Sequence, residues 1–532
     1  MLFSHLSHNT LTMSIINTKN QLKRAAGVLL HPTSLWTPYG IGDLGPSAYE
    51  FIQYLKRAGQ RYWQMLPLGP TGYLDSPYQC LSAFAGSPLL ISPDELVNLG
   101  LLQKKEAIDC LEDENKRIKW TLSETVNYEN VRIAKYRMLK IAYTTMFHPN
   151  NSEKYAALKT EFDNFCSSEE YWLDEFVLYF SLKQAHDLKS WVEWDSKYRN
   201  REGIALEKWI ESHKEELHYF KFIQWIFQKQ WSNLFKYAHE NNIQIIGDMP
   251  IFVAHDSADV WEHRDIFTLN TDGSLKYQAG VPPDYFSKTG QLWGNPLYDW
   301  EKLKKMNYSW WINRFKRYSE FADWIRVDHF RGFVAYWRVE GKAPNAIKGE
   351  WIQGPGISLF NTVEKKLGKL QILAENLGII TPDVEQLRLK FDFPGMYVLQ
   401  FAFMGDKTSP HLPFNYSPYN FAYTGTHDNN TTLGWWQHEA TDGEKQYVSA
   451  YLNHAIKDIT EELIQILYQS VAVVAMAPLQ DVLAQSAKSR MNTPSIPEGN
   501  WMYRVPSLGL DENKAKWLKF LVETYGRAWL IL

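Results

Sequence analysis

Short runs of consecutive apolar residues recur along the chain, separated by longer segments in which apolar positions return at helical spacing. In order the runs cover residues 27–30, 62–68, 243–253, 324–330, 370–374, 396–403, 421–426 and 471–477. Strands that are apolar throughout are buried on both faces, and helices between them imply a parallel sheet. Eight such runs predict an α/β fold: a (β/α)8 TIM barrel with inserted, mostly helical subdomains, whose chemistry sits at the C-terminal strand ends. The alternative, an open doubly wound sheet, usually carries a glycine-rich phosphate turn after its first strand. Leu29-Leu30-His31-Pro32-Thr33 is not such a turn.

The second and third runs are about 175 residues apart, far more than one βα loop and a helix require. Residues from about 94 to 235 are rich in Glu, Lys, Leu and Tyr at helical spacing, which predicts a helical insertion within one catalytic domain spanning 21–532. Residues from about 265 to 300 are rich in Gly, Pro and aromatics without periodicity, the pattern of an irregular loop over an active site. Residues 1–20 are polar and expected to be frayed, and Met13 is an alternative start.

Composition narrows the classes. A net charge of −4 with both signs interspersed argues against a nucleic-acid partner. The 22 Trp suit stacking on sugar rings as well as a large aromatic core. Three widely spaced cysteines, Cys80, Cys110 and Cys166, form neither a disulfide framework nor a metal-ligand pattern, so a reducing cytoplasm and no metal or other cofactor are expected. No secretory leader is evident. No apolar run approaches the roughly 18 residues of a membrane span, so no membrane partner is expected, and the protein is taken as a monomer or homodimer.

The chemistry gathers at three strand ends. Arg326 and Asp328 lie two residues apart on one predicted strand and so share a face. A guanidinium beside a carboxylate favours the ionised form that a nucleophile needs. Glu375 closes a second run and Asp428 follows a third. Three acids at three strand ends suggest glycosidic-bond chemistry, in which retaining enzymes use two carboxyl groups roughly 5–5.5 Å apart.

These acidic motifs, with Gly27–Leu35, Asp75-Ser76-Pro77-Tyr78-Gln79, Gly247–Val253, Gly280–Ser287, Gln291–Pro296 and Arg490–Pro494, resemble the 4-α-glucanotransferases known as amylomaltases or disproportionating enzymes, relatives of the α-amylases. The resemblance runs nearly end to end. It implies retaining transfer of α-1,4-glucan segments from a donor maltooligosaccharide to the 4-hydroxyl of an acceptor glucan or glucose. Asp328 becomes the nucleophile, Glu375 the general acid/base and Asp428 the transition-state stabiliser. Ser76, Tyr78, Asp248, Asp284, Gln291, Trp293, Asn295, Arg326, His329 and His427 become substrate contacts. Asp248 could instead orient Arg326, and Asp284 and Asn295 could brace their loop. Tyr78 is a candidate stacking platform, and residues 280–293, with Tyr285, Phe286 and Trp293, a cover that excludes water. Two positions depart from the family pattern: Asn376 stands where Asp is expected after the acid/base Glu, and Asn430 where the second Asp of His-Asp-Asn-Asp-Thr is expected. Each loses a charge near the site. A hydrolase of the same substrates is the near rival.

Overall fold

The computed structural model describes residues 22–112, 118–283, 287–507 and 509–528. The expected frayed N-terminus lies outside them. Twelve strands are formed among the described residues: β1 (Ala25–Leu29), β2 (Tyr62–Gln64), β3 (Gln244–Pro250), β4 (Tyr277–Val281), β5 (Gln291–Pro296), β6 (Trp324–Asp328), β7 (Ala335–Glu340), β8 (Gly349–Gln353), β9 (Ile372–Ala374), β10 (Gly395–Val398), β11 (Asn420–Tyr423) and β12 (Val474–Pro478). Eight of them, in the order β10-β11-β12-β1-β2-β3-β6-β9, make one all-parallel sheet. Each coincides with one of the eight apolar runs, so the (β/α)8 barrel is the observed fold.

The barrel closes between β9 and β10 without a regular ladder. Ala374 N donates to the Pro394 carbonyl at 2.9 Å, and Met396 N donates to Asn376 Oδ1 at 2.8 Å. Inside, Ala25, Tyr62, Ile246, Trp324, Leu373, Met396, Val398, Phe421, Tyr423, Val474 and Met476 pack into a sealed apolar plug. Outward-facing residues such as Val28, Trp63, Ile245, Ile325 and Val327 join the larger core beneath the helices. This two-sided burial is why the strands read as apolar throughout.

Helices from Pro93–Asn98 to Gly203–Ser212 fill the span between β2 and β3. The long helix Lys214–Glu240 ends the excursion and serves as the barrel helix before β3; its Tyr237 hydroxyl meets Gln53 of helix Pro46–Arg57 at 2.5 Å. The segment 265–300 is not structureless. It supplies β4 and β5, which join β7 and β8 in an antiparallel sheet ordered β5-β4-β7-β8. Local composition hides this because the pairing partners are distant in sequence. Among the described residues no helix is long and apolar enough to cross a membrane.

The N-terminal floor of the barrel is tied by two arginines. Arg527 donates to the carbonyls of Leu467, Tyr468, Ser470, Val473 and Ala25, and Arg24 to those of Tyr468, Ala472 and Tyr525. Several of these carbonyls lie at the C-terminal end of helix Ile459–Gln469, where acceptors lack intrahelical donors and a cation is favoured. Burial pushes the Arg527 guanidinium down to about 9, with Arg24 adding to the effect. Replacing Arg527 by Ala leaves buried acceptors unpaired and is expected to lower stability by roughly 2–4 kcal/mol, read as a fall in denaturant midpoint.

Candidate active site

On β3 and β6 alternate inward positions climb from apolar to polar. On β3, Ile246 is followed by Asp248; on β6, Trp324 is followed by Arg326 and then Asp328. The register sets Ile246 against Trp324, Asp248 against Arg326 and Pro250 against Asp328. The apolar plug therefore ends in a layer of charge at the C-terminal mouth.

Arg326 is the centre of that layer. Its Nη1 lies 2.7 Å from both Asp248 carboxylate oxygens and 3.0 Å from Asp328 Oδ1. Burial works against the charge of Arg326, but Asp248 and Asp328 outweigh it and hold the guanidinium above its ordinary value. Asp248 is wholly enclosed and also accepts from the Tyr78 hydroxyl at 2.7 Å. Burial raises the Asp248 carboxyl, and the adjoining guanidinium opposes that rise. The two oxygens facing one cationic nitrogen identify the pair as ionic. Asp328 keeps 30% of its side-chain surface open.

Glu375 follows β9 directly, beside Asp328. Phe330 N donates to its carbonyl and its own N to the Val327 carbonyl, both at 3.1 Å. Two backbone amides reach its carboxyl: His329 N donates to Oε2 at 2.8 Å and Leu377 N to Oε1 at 2.6 Å. Such donors favour the charged form. Burial, then the negative charge of Asp328, overcome them and push the carboxyl up to about 7. With one donor on each oxygen, a bound proton must use a remaining lone pair, away from those amides. His329 donates from a left-handed conformation, φ 53°, which costs a non-glycine residue of the order of 1–2 kcal/mol. That turn ends the strand at Asp328, two residues earlier than the apolar run predicts. Burial pushes the His329 imidazole down to about 4.

Asp428 reaches the same mouth from the loop after β11. Its Oδ1 accepts from Asn492 Nδ2 at 2.6 Å and lies 3.4 Å from His427 Nε2. The side chain is 48% exposed. Tyr78 stacks on His427 with ring centroids 5.0 Å apart and planes inclined by 17°, and Trp501 flanks both rings.

The small sheet walls one side. Gln278 pairs with Pro296 but Gly280 with Leu292, so Trp293, Gly294 and Asn295 bulge from β5, with Gly294 at φ 69°. Bulges re-aim side chains, and here Trp293 meets His329 edge-on at 4.9 Å. Gln291 Oε1 accepts from the Trp293 indole at 3.3 Å. Asn295 is buried, donating to the Val253 carbonyl at 2.8 Å. Ser76 Oγ accepts from Tyr78 N at 3.3 Å, shaping its turn. Asp284, Tyr285 and Phe286 lie outside the described residues.

The two departures from the family pattern have one explanation. Asn376 Nδ2 donates to Glu385 Oε1 at 2.8 Å, and Asn430 Nδ2 to Glu439 Oε1 at 2.9 Å. In both places an aspartate would set two carboxylates against each other. Sequence reasoning did not assign Asn492, Arg490, Gln79 or Trp501 to the site. Arg490 Nη2 holds the Asp428 carbonyl at 2.7 Å, and Gln79 reaches the Trp293 carbonyl at 3.3 Å. All but Trp501 lie in segments quoted for the resemblance, which was the available signal.

Similarity to known proteins extends over nearly the whole chain. The glycoside hydrolase 77 family, described as 4-alpha-glucanotransferase, matches residues 30–510. The 4-alpha-glucanotransferase of Synechocystis is 45% identical over 509 residues, covering 95% of this chain and 98% of the relative. That of Thermus thermophilus is 44% identical over 493 residues, covering 91% and 95%. Among solved structures, the amylomaltase of Streptococcus agalactiae in complex with acarbose superposes with a TM-score of 0.89 at 37% identity, over 95% of this chain and all of that one (100%).

Because Asn376 both seams β9 to β10 and precedes Leu377, whose amide holds Glu375, Asn376→Ala is expected to cost roughly 1–3 kcal/mol. Thermal unfolding of the variant checks this.

Proposed function

The chain belongs to the 4-alpha-glucanotransferase family and acts on α-1,4-glucans, and from that premise we propose how its carboxyl groups divide the retaining reaction. Asp328 is the nucleophile, Glu375 the acid and then the base, and Asp428 the stabiliser of the flattened sugar. The observation that carries this reading is the contrast between adjacent carboxyls: Asp328 in contact with a buried cation, Glu375 raised to about 7. Asp328 attacks the anomeric carbon while Glu375 gives its proton to the departing glycosidic oxygen. Glu375, now ionised, takes the proton of an acceptor 4-hydroxyl, whose oxygen displaces Asp328 and restores the α-linkage.

The remaining residues divide into contacts and supports. His427, Asp428, Arg326 and His329 surround the position of the reacting sugar, with Tyr78 as a stacking wall. Asp248 orients Arg326, because both its oxygens are already committed. Gln291 and Asn295 position Trp293. Transfer in place of hydrolysis requires an acceptor that displaces water, and a covered, apolar-walled site provides this. Trp293, held over His329 by the β5 bulge, is the described part of that cover.

Maltotriose is the discriminating substrate. Transfer yields a ladder of longer and shorter maltooligosaccharides at a constant number of reducing ends, and Asp328→Asn abolishes the ladder. Trp293→Ala is expected to raise the share of hydrolysis, seen as new reducing ends; an unchanged ratio removes Trp293 from the cover. Glu375 must be protonated for the first step, so kcat/KM falls as pH rises through about 7. Glu375→Gln is expected to lower kcat by roughly 10²–10⁴ and to erase that alkaline limb.

A further inference from the structure

The outer edge of the small sheet carries an aromatic pair that the reaction above does not use. The register sets Trp337 of β7 directly opposite Trp351 of β8, with ring centroids 5.3 Å apart in an edge-on arrangement. Trp351 is 41% exposed on the edge strand. The Arg331 guanidinium lies 3.9 Å over its ring. The Trp337 indole donates to the Ala346 carbonyl at 2.9 Å and lies across Gly349, where a Cβ would come within 2.5 Å of it. Glycine in a strand commonly marks such a close approach.

This pair is fastened to both catalytic loops. Arg331 follows Asp328 by three residues, and its Nη1 donates to the carbonyl of Ile379, four residues after Glu375. Gly354, just past β8, donates to the Val334 carbonyl at 2.7 Å, docking the edge strand on the turn that leaves β6. The opposite face of β7 and β8 is occupied internally: Arg338 pairs with Glu350 and covers the Tyr277 ring. On the Trp337–Trp351 face Arg331 covers part of the Trp351 ring, and the residue still keeps 41% of its surface exposed.

An indole clamped by a guanidinium on its ring and by a second indole at its edge has lost rotamer freedom before any ligand arrives. Binding there avoids much of the usual ordering cost. Its ring is apolar and partly exposed, matching the C–H face of a glucose unit, and Arg331 ties it to the loops that carry Asp328 and Glu375. We infer that Trp351, backed by Arg331 and Trp337, is a distal stacking platform for long α-1,4-glucans, engaging sugars beyond those at the cleavage point. The inference rests on the glucanotransferase reading and extends it to chain-length preference.

The test compares maltoheptaose with maltotriose for purified wild type, Trp351→Ala and Trp351→Phe. Ladder formation by the wild type tests the parent reading independently. Trp351→Ala is expected to lower the ratio of kcat/KM for maltoheptaose over maltotriose by roughly fivefold to tenfold, with Trp351→Phe retaining most of it. Phe520→Ala, an aromatic on helix Glu512–Thr524 that is more exposed than Trp351, leaves the ratio at the wild-type value. An unchanged ratio in Trp351→Ala overturns the platform. So does an equal loss on both substrates, which would make Trp351 a support for Arg331. Dissociation of an oligomer by Trp351→Ala with the ratio preserved would also overturn it, marking the face as a contact between copies.

Discussion

One guanidinium kept charged away from water governs the mouth of this barrel. Arg326 is enclosed, so its charge persists only because Asp248 and Asp328 both face it. A buried ion pair of this kind is a weak source of net stability, yet removing one partner costs about 3–5 kcal/mol because the other charge is stranded. The triad is therefore best understood as a positioning device. Asp248 is consumed by it completely, taking Arg326 on both oxygens and Tyr78 on one. Asp328 is held through Oδ1 alone and remains partly open towards solvent and substrate.

The same charge layer sets the second carboxyl. Glu375 receives two backbone N–H bonds that favour its anion, and it still rises to about 7 because burial and the Asp328 charge exceed them. A raised carboxyl beside one that faces a cation is the arrangement on which the proposed division between proton transfer and attack rests. The strained turn at His329 serves this arrangement. It stops β6 at Asp328 and swings an amide onto Glu375, so the backbone strain and the hydrogen bond that offsets it belong to one feature.

Much of the scaffold was legible because each barrel strand is buried on both faces and so leaves an unbroken apolar run. The eight runs matched eight strands, with disagreements confined to their ends, as at residues 329–330. The small antiparallel sheet was not legible. β8 reads Gly-Glu-Trp-Ile-Gln, an exposed edge without apolar alternation, and β4 and β5 lie in a segment whose turn-rich composition suggests a loop. Their strands exist because β7 pairs with both β4 and β8 across the sheet. Asn376 and Asn430 read locally as lost charges. Their partners, Glu385 and Glu439, stand close by only once a helix turn has brought each back.

What the chain determined by itself was the order of strands and the kinds of side chain at their ends, since periodicity and residue chemistry are local properties. Which polar residue stays open at the mouth and which merely holds its neighbour was decided by tertiary structure. Asp248 and Asp328 are the same residue type on adjacent strands, and nothing in their local sequence distinguishes an enclosed support from a partly exposed carboxylate at the mouth. Burial and the charges of distant neighbours separate them, and both are created only when the barrel closes and its loops meet over the mouth.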